Sequence, residues 1–242
     1  MLLLAIDTSS KNGSVAVFDD NSLIGCQNVA GKGNSASQLP PTIRSALSEL
    51  GIEIGQLGCV AVATGPGSFT GLRVGVTTAK VLAYALNCKV LGVNSLTTIA
   101  SAGFENGENG FQSSATDEPE RELVVTIDAQ RQQLFALRCK LAQSWLAKPV
   151  GKVEIIERSK LASFANQTPV LGPGLERLTE SQLDSVHTLN RELWGCSAEM
   201  VGRHAMALLD AGEPDDFWSL KPNYFRASSA EEKLHLSGVK KR

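Results

Sequence analysis

Residues 60–86, VAVATGPGSFTGLRVGVTTAKVLAYAL, decide the fold. The stretch 60–63 reads as a buried strand, 65–71 as a turn rich in glycine, and 72–86 as a helix that opens on the last of those glycines. A glycine-rich turn at a helix start leaves backbone N–H groups unpaired and lets another surface approach the main chain closely. The spacing is not that of a Walker A loop: five residues separate Gly65 from Gly71, and Leu72-Arg73 follows where Lys and Ser or Thr would stand. It is not the dinucleotide fingerprint either, because position 70 is Thr. Two readings stay open. An anion sits at the helix start, helped by Arg73 and the helix dipole, or the turn is a tight connection packed against protein.

The helix carries a second signal. Gly71, Gly75, Ala79 and Ala83 recur every fourth residue and share one stripe, flanked by Leu72 and Val76 and interrupted by Lys80. Small side chains permit close approach of another backbone. The stripe packs either on the chain's own sheet or against a second helix in a dimer.

Composition bounds the rest. The chain has 242 residues, enough for one large or two small domains, and 43% of them are apolar, enough for a real core. A net charge of -2 argues against tight independent binding to nucleic acid. The basic end Lys240-Lys241-Arg242 reads as a solvated terminus. Five cysteines (26, 59, 88, 139 and 196) form no C-x-x-C pair, which points to a reducing compartment, with Cys59 packed as a small hydrophobe. The apolar start meets Asp7 too early for a signal peptide, and no run is long enough to span a membrane. The expectation is a soluble, cytoplasmic protein.

The pattern predicts strands at 2–6, 14–18 and 22–30, a helix at 38–50, a strand at 59–63, the helix at 72–86 and a strand at 89–93. Leu39 and Ile43 begin the apolar stripe of the first helix, Pro40 and Pro41 are placed in its first turn, and Gly51 stops it. The order β-β-β-α-β-α-β then recurs: strands at 122–127, 133–140 and 150–157, a helix at 160–166, a strand at 169–171 and a helix from 175. Ser197 caps a last helix, on whose exposed or boundary face His204 is placed. The predicted organisation is a first half at 1–104, a polar flexible loop at 105–121, and a second half at 122–242.

Two such copies with mixed sheets make a duplicated α/β fold. It resembles the actin-like, ribonuclease H-like ATPase superfamily. That resemblance implies phosphates and Mg²⁺ between the halves, near the Asp ending each first strand. Asp7 and Asp128 hold those positions, where a carboxylate either holds a hydrated Mg²⁺ or caps a turn.

The segments LLAIDTSS (3–10), ATGPGSFTGLRVGV (63–76), VTIDAQRQQLFA (125–136), LGPG (171–174) and PNYFRASSAEEK (222–233) resemble the TsaB (YeaZ) family over nearly the whole chain. GPGSFTGLR is the most specific of them. The resemblance implies a non-catalytic subunit in making N6-threonylcarbamoyladenosine, beside the anticodon of tRNAs that read codons starting with A. Its implied partners are a catalytic TsaD-like paralogue, a TsaE-like ATPase and a second copy of itself, with tRNA met through the complex and no membrane.

The implied dimer or partner face is Pro66, Gly67, Ser68, Phe69, Thr70, Gly71, Leu72, Arg73, Gly75, Val76, Ala79, Lys80 and Ala83, with Leu39 and Ile43 of the first helix. A vestigial nucleotide cleft is implied at Asp7, Ser9, Ser10, Asp128, Gly172 and Gly174, with room for weak ATP or ADP binding with Mg²⁺ and no cofactor required. The alternative is an active actin-like ATPase or kinase using that cleft. A metallopeptidase fits poorly, because His187, His204 and His235 make no pair four residues apart. One departure from the family is Asn34, where members often carry His.

Overall fold

The computed structural model describes residues 1–29, 35–105, 121–141, 146–212 and 217–226. Asn34, most of the polar seam, His235 and the basic end at 240–242 lie outside the described residues.

The first sheet has the order β3-β2-β1-β4-β5, built from β1 (Leu2–Asp7), β2 (Ser14–Asp19), β3 (Ser22–Asn28), β4 (Leu57–Gly65) and β5 (Lys89–Asn94). β1 runs antiparallel to β2 and parallel to β4, with Ile6 opposite Val15 on one side and Val62 on the other. Its side chains alternate strictly. Leu4, Ile6, Val15, Val17, Val60 and Val62 face α1 (Ser35–Glu49) and α2 (Phe69–Leu86), while Leu3, Ala5, Ala16, Phe18, Cys59, Ala61 and Ala63 face the interior of the molecule.

The second sheet has the order β8-β7-β6-β9, from β6 (Glu122–Gln130), β7 (Gln133–Leu141), β8 (Ala147–Glu157) and the short β9 (Val170–Leu171). Two helices fill the space between the sheets: α3 (Ser95–Glu105) packs on β6, β7 and β8, and the late α6 (Ala198–Asp210) packs on β1, β2 and β4. Each half thus lends a helix to the other, and one continuous apolar core joins both sheets. Gly202 is what lets α6 come so close, since a Cβ there would lie 2.2 Å from the Phe18 ring.

Several expectations are corrected. α1 begins at Ser35, so Pro40 and Pro41 sit inside it rather than in its first turn. Gly51, at φ +67°, does follow its end. No periodicity in the sequence points to α3. Asn94 starts it by accepting from Leu96 N at 2.8 Å, and its buried residues lie all round the helix, so no polar face betrays a 3.6-residue period. The predicted helix from 175 is a 3-10 turn, Pro173–Arg177, followed by the four-residue α5 (Glu180–Leu183). Among the described residues the second half has no fifth strand; a single bridge from Val170 to Thr188 stands in its place. The predicted helix at 160–166 is α4 (Leu161–Ala165). No helix of the described residues is long and apolar enough to cross a membrane.

Candidate interaction surface

β4 enters the GPGSFTG turn through Gly65 at φ +109° and a cis bond to Pro66. Ser68 then caps α2, its hydroxyl accepting from Gly71 N at 3.2 Å. The glycines of the turn are consumed by contact with the loop after β1. A Cβ on Gly67 would lie 2.4 Å from the Ser9 carbonyl oxygen, and one on Gly71 would lie 2.0 Å from that of Thr8. Ser68 N donates to Ser9 O at 2.7 Å, and Thr8 Oγ1 donates to Gly71 O at 2.7 Å.

The residues of the expected dimer face fall on two sides of α2. Gly71, Leu72, Gly75, Val76, Ala79 and Ala83 are buried within the chain, turned to β1 and β4. Pro66, Leu39 and Ile43 are buried as well. The small stripe exists because α2 lies close on its own sheet, as its i, i+4 spacing also allowed. Ser68, Phe69, Thr70 and Arg73 do face outward, and Gly67 and Lys80 are partly exposed.

The opposite side of α2 forms the surface. Phe69, Arg73, Thr77, Val81 and Tyr84 follow each other at three- and four-residue steps along one exposed ridge. Val81 and Tyr84 are 60% and 68% exposed. Residues 217–226 run along this ridge. Lys80 Nζ donates to the carbonyls of Trp218 and Leu220, Tyr84 meets the rings of Phe217 and Trp218, and Arg73 stacks 4.0 Å over Phe69 while its Nε donates to Tyr224 Oη. Trp218 is 74% exposed beside Tyr84. Asn223 N then donates to Thr64 O, and Arg226 reaches Ala129 O and Gln133 in the second half. Beside the ridge, a groove of about 550 Å³ opens between α1 and α2, over Ile43, Leu47, Ile52, Thr78 and Leu82.

The residues expected at a nucleotide cleft differ in their surroundings. Asp7 has no exposed surface; its Oδ1 accepts from Ser9 N at 2.8 Å, and its Oδ2 has no hydrogen-bond partner. Burial holds its pKa above the ordinary carboxylate value. Burial first, and then the charge of Asp7, push the Cys196 thiol well up. Ser10 accepts from Asn12 N in the exposed turn. Asp128 is bound by Arg158 and Arg177, each at 3.1 Å. Gly172 and Gly174 pack on Thr126: a Cβ on Gly172 would lie 2.2 Å from its carbonyl oxygen, and one on Gly174 2.8 Å from its hydroxyl. His204, expected on an exposed or boundary face, lies in the interior. It is buried, its Nε2 lies 2.7 Å from Ser101 Oγ, and desolvation lowers its pKa to about 4.

Sequence reasoning missed the ridge partners Val81, Tyr84 and Trp218, because large apolar residues read as core by default. The one available signal was the i, i+3 placement of Val81 and Tyr84 opposite the small stripe.

Two sheets sharing a core through exchanged helices, with a glycine turn leading into α2, define a two-lobed α/β protein. Two solved structures from Pseudomonas aeruginosa share this fold: YeaZ, at TM-score 0.74 and 22% identity, and an uncharacterized protein with similarity to peptidase YeaZ, at 0.75 and 24%. Each match covers 93% of this chain and 99% of the other. The tRNA threonylcarbamoyladenosine biosynthesis protein TsaB of Bacillus subtilis is 37% identical over 236 residues, covering 96% of this chain and 97% of its own. TsaB of Haemophilus influenzae is 34% identical over 105 residues, 43% of this chain and 44% of its own. The family described as TsaD, tRNA N6-adenosine threonylcarbamoyltransferase, matches residues 30–230. The chain belongs to the TsaB family of tRNA threonylcarbamoyladenosine biosynthesis proteins.

Proposed function

We propose that this chain is the non-catalytic, dimerising subunit of the cytoplasmic complex that installs N6-threonylcarbamoyladenosine on tRNA. It pairs with itself or with a TsaD-like catalytic paralogue, works alongside a TsaE-like ATPase, and needs no cofactor of its own. The observation that carries this reading is the ridge of α2. Val81 and Tyr84, with Trp218 beside them, present large apolar surfaces to solvent on a well-formed helix next to an apolar groove. Covering such surface in a partner is favourable by about 25 cal/mol per Å² of apolar area, before the costs of association are set against it.

Light-scattering mass, measured on the chain alone and mixed with the TsaD-like paralogue of its own organism, tests the proposal. The expected result is a self-dimer that gives way to a one-to-one heteromer. Tyr84→Glu and Val81→Glu should each weaken both species while leaving the melting temperature within a few degrees. A wild-type chain that stays monomeric and forms no heteromer would remove the role.

A further inference from the structure

The turn between β6 and β7 holds three successive residues in the left-handed region: Gln130, Arg131 and Gln132, at φ 62°, 51° and 62°. Positive φ ordinarily selects glycine, asparagine or aspartate. Here three long polar side chains are kept in place of small ones, and the surroundings hold them there. Gln130 N donates to Asp128 Oδ1 at 2.9 Å. Arg158 fixes Gln132 twice, its backbone N donating to Gln132 O at 2.9 Å and its Nη1 to Gln132 Oε1 at 3.0 Å.

Arginines converge on this turn from three other places in the chain. Arg158 follows β8 and Arg177 ends the 3-10 turn after β9; both pair with Asp128. Arg226 comes from the segment lying along α2 and bonds Ala129 O and Gln133. With Arg131 itself, four guanidinium groups meet the stretch 128–133, in which Asp128 is the one carboxylate. Two more carboxylates are near: Glu157, in register with Gln133, and Glu176, which Arg191 holds at 3.7 Å. Arg131 is exposed, and the Arg177 side chain is 54% exposed. The local balance is therefore basic on a chain whose net charge is -2. Planar guanidinium groups held by protein at fixed spacing suit phosphate oxygens.

We infer that the β6–β7 turn contacts the phosphate backbone of an RNA, with Arg131 and Arg177 reaching the phosphates while Arg158 and Arg226 hold the turn in shape. This rests on the tRNA-modification reading above and adds a direct RNA contact to this subunit.

Anisotropy of an end-labelled tRNA tests it, titrated with the chain and with its TsaD-like complex at several salt concentrations. The variants are Arg131→Gln alone, which leaves both Asp128 ion pairs in place, and Arg131→Gln with Arg177→Gln. Lys89→Gln, at the start of β5, matches the single variant's change of charge elsewhere. Removing one arginine–phosphate pair should weaken binding about 5- to 8-fold near 0.1 M salt and flatten the log–log salt slope by about 0.7–0.9. Lys89→Gln should change neither. Unaltered affinity and slope in the double variant, with the heteromer intact, would overturn the RNA contact and leave the subunit role standing. Loss of the heteromer in that variant would also overturn it and assign the turn to a protein partner. If wild-type protein forms no heteromer, the subunit role fails instead, and the titration of the chain alone decides the RNA contact.

Discussion

Gly75→Ala is the sharpest test of how α2 sits. A Cβ at position 75 would lie 2.3 Å from Thr8 Oγ1 and 3.3 Å from Val62 Cγ2. Thr8 is fully buried and its hydroxyl is already committed to Gly71 O at 2.7 Å. The new methyl must displace that hydroxyl or lift the helix. Overpacking of this kind costs about 1–3 kcal/mol. Stranding the buried Thr8 hydroxyl costs about 1–3 kcal/mol more. Replacing glycine by alanine within a helix returns about 1 kcal/mol. The net destabilisation is about 1–5 kcal/mol. At about 2–4 °C per kcal/mol for a chain of this size, a mid-range loss lowers the melting temperature by roughly 6–12 °C.

Thermal unfolding followed by circular dichroism measures the effect, and a second substitution makes it specific. Thr8→Ala removes the hydroxyl in the way, so the pair Thr8→Ala with Gly75→Ala should lose less than the sum of the single losses, with a coupling of about 1 kcal/mol or more. A Gly75→Ala protein with an unchanged melting temperature and abolished self-association would refute this reasoning. It would return the small stripe to an intermolecular face.

Two further predictions concern buried titratable groups. His204 has a folded pKa of about 4 against an ordinary 6.5, so the unfolded chain takes up the proton first and acid favours unfolding. Stability should fall by on the order of 3 kcal/mol as pH drops from 6.5 through 4, and His204→Gln should flatten that part of the urea-midpoint profile; an equally steep profile in the variant would contradict it. Asp7 is raised, so its effect has the opposite sign: the folded state is penalised as pH climbs above the ordinary 3.8 toward the raised folded value. Asp7→Asn keeps an oxygen for Ser9 N and carries no charge, so its urea midpoint at about pH 8 should equal or exceed that of the wild type. A lower midpoint would show that the ionised carboxylate has a partner at neutral pH. Loss of ATP hydrolysis in the same variant would favour the kinase or ATPase alternative.

Much of the architecture was legible because strand alternation and cap chemistry are local. The Leu3/Leu4 and Val60/Ala61 alternation, Ser197 as a cap and Gly51 as a stop all act within a few residues. What was hidden depends on distant partners. α3 is buried on all sides because it lies between two sheets, and no local pattern records that. Gly71 and Gly75 read equally as an intermolecular stripe or an internal one, since either requires small residues at fourfold spacing; only the position of Thr8 decides between them. His204 reads as exposed or boundary because its partner, Ser101, belongs to the helix that the pattern does not reveal. Tyr84 and Trp218 met the opposite difficulty, for an exposed aromatic is indistinguishable in sequence from a core one.

The glycine turn commits much of its main chain to the chain's own loop after β1. A phosphate loop works when N–H groups at a helix start are left for an anion. Here Ser68 N is taken by Ser9 O, Gly71 N by Ser68 Oγ and Leu72 N by Ser68 O. The room that glycine creates is filled by the main chain of Thr8 and Ser9. The two carboxylates differ, for Asp7 is sealed beside Cys196 with its Oδ2 unpartnered, while Asp128 is held between Arg158 and Arg177. These hydrogen bonds and ion pairs stay within each lobe, the lobes being joined by the apolar core around α3 and α6, and two features project outward. Those projections are the aromatic ridge of α2 and the arginine-bearing turn of the second half. Residues 217–226 touch both, through Tyr84 and Arg73 at one end and Ala129 and Gln133 at the other, so a partner seated on the ridge bears on the same segment that braces the turn.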